Sequence, residues 1–90
     1  MNLEEKAKYN IEFLISNINK IKLPLYSVKG FSGIYTIKEF KKINNSFFIK
    51  YINTKDKEFS SNLYDINFIF LESIYRKVLD QFKNKNIWED

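Results

Sequence analysis

The side chains that could do chemistry in this 90-residue chain are lysines, carboxylates, serines and tyrosines; histidine and cysteine are absent. Without histidine, the usual general base near neutral pH is missing. Without cysteine there is no thiol nucleophile, disulfide or thiolate metal site. Two glycines cannot build a glycine-rich phosphate loop. The carboxylates are scattered. Glu72 and Asp80 fall among charges that read as solvent-facing, and no acidic loop has the spacing of a calcium site. The sequence therefore predicts a non-enzymatic protein with no cofactor and no metal.

The formal charge of +4 points first to an anionic partner. Composition weakens that inference. Ile, Lys, Asn, Phe and Tyr supply 53 of the 90 residues, and all five have A/T-rich codons. Lysine thus partly reports base composition. Arginine, whose planar fork reads phosphate and guanine edges, occurs once, at Arg76. The basic excess is concentrated in residues 31–63, which hold six basic and three acidic side chains. Lys38, Lys41, Lys42, Lys50, Lys55 and Lys57 form this basic patch. They could line an anionic partner, or be solvated charges that keep sheet edges from aggregating.

These residues must be positioned by few elements. Leu3, Ala7, Ile11, Leu14 and Ile18 recur at helical spacing, so the sequence predicts a helix over about 3–19. Residues 20–33 read as a connection punctuated by Pro24, Gly30 and Gly33. Ile34 to Ile43 reads as a strand whose alternation slips, calling for a bulge near Glu39. Asn44-Asn45 is a hairpin turn signal. Ser46 to Asn53 is the partner strand, Thr54 to Lys57 a turn, and Phe59 to Leu63 a short third strand. From about Asp65 to Lys83 the helical period returns, with Asn62 or Asp65 as its expected cap. Residues 84–90 read as a frayed tail, although Trp88 could fold back. The expected fold is one α+β domain over 1–90, a helix, a three-stranded antiparallel sheet and a helix (α-β-β-β-α). Acidic Glu4 and Glu5 do not fit a secretory signal, and no apolar run approaches 18 residues. The expectation is a cytoplasmic protein that does not span a membrane.

Three short resemblances bear on function. In Asn44–Tyr51, NNSFFIKY, the residues Phe48, Ile49 and Tyr51 resemble the end of the RNA-stacking strand of RNA-recognition-motif domains. That motif opens with a basic residue, a glycine and a stacking aromatic; here the positions hold Asn44, Asn45 and Ser46. Alternation also places Phe47, Ile49 and Tyr51 on one face, as core, and leaves Phe48 as the lone aromatic on the other. Gly33-Ile34-Tyr35 resembles the opening of GIY-YIG nucleases, but the second motif is missing. The element order resembles double-stranded RNA-binding domains. Those carry lysines at the start of the last helix, where this chain has Asp65-Ile66-Asn67-Phe68.

The run Phe68-Ile69-Phe70-Leu71 is apolar on nearly all sides of a helix. It predicts either deep burial or an interface. The leading expectation is a protein-binding module, with Phe48, Lys50, Ile52 and Phe70 as contacts, aromatics being strong anchors at interfaces. Small A/T-rich chains of this kind include phage and mobile-element products that inhibit host machinery, anti-CRISPR proteins among them. The alternatives are a sequence-tolerant nucleic-acid binder using the lysines, and an obligate homodimer.

Overall fold

The computed structural model describes residues 2–89, with side chains through Lys83. Helix α1 spans Leu3–Ser16 and is followed by a single 3-10 turn, Ile18–Lys20. Four strands come next: β1 (Leu25–Lys29), β2 (Ile34–Ile43), β3 (Ser46–Ile52) and β4 (Glu58–Asn62). Helix α2 runs over Phe68–Glu89. The frayed tail expected over 84–90, with the fold-back of Trp88, lies outside the residues whose side chains are described. Among the described residues no helix is long and apolar enough to cross a membrane.

The helix–sheet–helix order holds, but the sheet has four strands, not three. All pairings are antiparallel and the spatial order follows the chain, β1-β2-β3-β4. The additional strand is β1, within the segment that reads as a connection. Its sequence, LYSVK, lacks period-two alternation because the strand is bulged. Leu25 pairs with Ile37 and Val28 with Tyr35, so Tyr26 and Ser27 together oppose Thr36. Ser27 takes the left-handed region at φ 56°. The bulge returns Leu25 and Val28 to the same buried face although they are three apart.

A second bulge sits where β2 slips. Ile37 pairs with Tyr51 and Glu39 with Lys50, leaving Lys38 without an opposite residue. This puts Phe40 back on the face of Ile37. The β2–β3 turn is Asn44-Asn45, with Asn44 in the left-handed region that asparagine tolerates. Asn53 organises the β3–β4 turn, its side-chain oxygen accepting from the Lys55 and Lys57 amides at 2.9 Å each.

Both helices are capped by asparagine. Asn2 accepts from the Glu5 amide at 2.9 Å at the start of α1. At α2 the cap is Asn67, which accepts from the Ile69 amide at 2.8 Å. The expected caps do other work: Asn62 accepts from the Tyr64 amide in the turn after β4. The segment 63–66 stays non-helical, with Leu63 buried and Ile66 packed against the core.

The core is one layer between the helices and one face of the sheet. Ile11 and Leu14 of α1 meet Leu71, Ile74 and Val78 of α2, above Leu25, Val28, Ile37 and Ile49. The helices are also joined by aromatic edges: Tyr75 lies 5.1 Å from Phe13 and 6.1 Å from Tyr9, centroid to centroid. Gln81 ties the connection to α2. Its amide donates to the Lys22 carbonyl at 2.8 Å, and its oxygen accepts from the Lys22 amide at 3.1 Å.

Asn67→Ala should cost about 1 kcal/mol, the usual worth of an N-cap, read from urea unfolding at unchanged slope. Fully buried Ile74 and half-exposed Ile69 represent the inward and outward sides of α2. Ile74→Ala should cost about 2–5 kcal/mol and Ile69→Ala less than about 0.5 kcal/mol. Burial, and then the Tyr9 hydroxyl, raise the Tyr75 hydroxyl pKa above its ordinary value. The unfolded chain therefore ionises first, and stability held below about pH 10 falls as pH rises through the folded pKa. Between pH 9 and 11 the wild type should lose more stability than Tyr75→Phe; equal losses would refute the assignment.

Candidate functional site

Both helices share one core with a single side of the sheet, so the other side is the first candidate surface. Strand β3 defines it. Its inward residues are Phe47, Ile49 and Tyr51, with Ile49 fully buried and the two aromatics half-buried. Its outward residues are Ser46, Phe48, Lys50 and Ile52, which are partly buried like the two inward aromatics. Phe48, Lys50 and Ile52 thus form a straight row of alternate side chains.

Register supplies the neighbours of that row. Lys41 and Asn62 flank Phe48; Thr36 and Glu58 flank Ile52; Glu39 and Ser60 flank Lys50. The Lys50 ammonium lies 4.0 Å from the Glu39 carboxylate. At this exposure the pair contributes little stability, but it fixes a mixed charge between two apolar residues. Ile34 and Ile43, both half-exposed, extend the apolar surface toward the two ends of β2. The result is an amphipathic face.

Phe70 does not belong to this face. It is 5% exposed and lies on the opposite, helix-covered side. Its ring packs 4.9 Å from Tyr51 and 5.2 Å from Tyr35. As a surface contact it must be corrected: it is a core residue. On α2, which starts after the cap at Asn67, Phe70 and Leu71 point inward and join the core. Ile69, 49% exposed, points out. Near it, Leu3, Lys6, Phe68 and Glu72 line an open groove of about 570 Å³ at the start of both helices.

The lysines do not converge. Lys41 and Lys50 share the open face. Lys38 stands at the bulge. Lys42 crosses to the other side, its ammonium 5.7 Å from the Phe47 ring centre. Lys55 and Lys57 lie in the β3–β4 turn at the far end, with Lys57 5.5 Å from the Phe59 ring centre. Five residues of strand separate the two ends, roughly 17 Å at the usual rise. That is about two Debye lengths at physiological salt, with Lys38 and Lys50 at intermediate positions along the strands. The bulge near Glu39 and the two turns that separate them are local features to which charge counting is blind.

A smaller recess was missed by sequence reasoning. It lies where the β1–β2 loop meets the segment before α2, with Tyr35, Tyr51 and Phe70 among its lining and a volume of about 240 Å³. Tyrosines in strands and an aspartate in a linker carry no sequence signal that they meet.

Comparison with protein-family models, with curated proteins and with solved structures finds no match to this chain.

Proposed function

We propose that this chain is a protein-binding module that acts by occupying a surface of a larger protein through the open face of its sheet. The observation that carries the reading is the row Phe48-Lys50-Ile52. It places an aromatic and an aliphatic anchor around a charge pair on a face that the helices leave uncovered. An interface of this type combines an apolar centre with polar groups that set orientation. The mechanism is steric: bound partner surface is denied to other ligands. This fits inhibition of host machinery in the manner of phage and mobile-element inhibitors, and it needs no catalytic group.

A homodimer is the second reading. It is favoured by Leu3, 64% exposed, beside Ile69 at the start of the helices. The nucleic-acid reading is disfavoured by the dispersal of the lysines, because phosphate-driven binding grows with the number of cations aligned on one strand.

The test is comparative capture from cells of the encoding organism, followed by titration of the captured protein. Wild type, Phe48→Glu/Ile52→Lys and the helix-side control Ile69→Ser are used in parallel. The sheet-face variant should lose the partner while Ile69→Ser keeps it. Phe48→Ala alone should weaken affinity by about tenfold or more, as expected of an interface anchor. Loss with Ile69→Ser but not with the sheet-face variant would transfer the site to the helices. Concentration-dependent unfolding would then mark a homodimer. Binding to random-sequence RNA or DNA that falls about tenfold or more between 50 and 200 mM salt would overturn the protein-binding reading.

A further inference from the structure

The recess beside Tyr35 differs in chemistry from the rest of the surface. The chain carries 15 basic side chains, yet among the described residues no lysine or arginine lines this recess. The ionisable groups that do are Asp65 and the tyrosines Tyr35 and Tyr51. The walls are aromatic. Tyr35 and Tyr51 cross at 88° with centroids 5.4 Å apart, Phe70 contacts both, and Phe31 stands at the rim, 75% exposed.

The rings are held in place. Tyr35 lies so close over Gly30 that a Cβ there would come within 2.5 Å of the ring. The hydroxyls are tethered at the mouth, Tyr51 with Ser61 at 3.0 Å and Tyr35 with Ser32 at 3.3 Å. The cavity, about 240 Å³, is below the range of roughly 300–1,000 Å³ usual for cofactor and drug-sized ligands. It suits a single small head group. Aromatic rings attract cations through their quadrupole at about 6 Å or less from the centroid, and Asp65 adds a fixed negative charge.

We propose that this recess is a binding site for an organic cation, the quaternary ammonium or guanidinium head of a small molecule or of a side chain on another protein. It opens on the helix-covered side of the sheet and is independent of the Phe48 face, so either site can fail alone.

The experiment is NMR titration of the full chain with two matched pairs of probes. Choline is set against 3,3-dimethylbutan-1-ol, its neutral isostere. Capped arginine is set against capped citrulline. The cations should shift the Phe31, Tyr35 and Tyr51 ring signals and saturate in the millimolar range, each binding about three- to tenfold tighter than its neutral partner. Response to choline and not to capped arginine would assign a free quaternary amine; the reverse would assign a side chain. Asp65→Asn and Phe31→Ala alter exposed groups and leave the core intact, and each should weaken the cation by about threefold. Equal binding of cation and isostere would overturn the proposal. So would the absence of any saturable shift at those rings, or full retention of affinity in both variants.

Discussion

A four-stranded sheet has two faces, and this chain has helix enough to bury one. That constraint organises the molecule. The buried residues of the strands, Leu25, Val28, Ile37 and Ile49, all point toward α1 and α2. Hydrophobic burial is proportional to the apolar area removed from water, so the most apolar side chains are drawn to the covered face. What is left on the other face is a compromise. Phe48 and Ile52 stay partly exposed there, beside Lys41, Lys50, Glu39 and Glu58.

Bulges reconcile an irregular sequence with a regular sheet. In β1 and β2 the apolar residues fall three apart, at Leu25 and Val28 and again at Ile37 and Phe40. An extra residue at each point restores the phase and twists the strand. The same extra residues decide where charge goes. Lys38 is unpaired because it is the bulge, and Lys42 lies on the helix side because the bulge has shifted its phase. The bulge and the two hairpin turns together separate the lysines in space.

At the end of the sheet near the start of α2, aromatic rings take over from aliphatic packing. Tyr51 stacks on Phe59, and Tyr35 and Phe70 complete the cluster. Rings are rigid and fill space less finely than leucine or isoleucine. A cluster of them between a loop and a linker leaves a recess rather than a sealed core. The candidate cation site is thus a by-product of how that end of the fold is closed, with Asp65 supplying its charge.

Helix existence, the β2–β3 hairpin and its inward set Phe47, Ile49 and Tyr51 were legible from period alone, as was the need for a bulge near Glu39. So was the separation of Phe48, Lys50 and Ile52 from the core, because alternation within one strand is a local property. Strand β1 was not legible, since Ser27 and its bulge erase the alternation by which strands are read. Nor was the fate of Phe68-Ile69-Phe70-Leu71: a run apolar on all sides leaves the buried side undetermined until Asn67 starts the helix and the sheet receives it. The four-stranded sheet and the meeting of Tyr35, Tyr51 and Asp65 were decided by tertiary structure. Each depends on contacts between residues distant in the chain, and residue types and spacing carry no record of those.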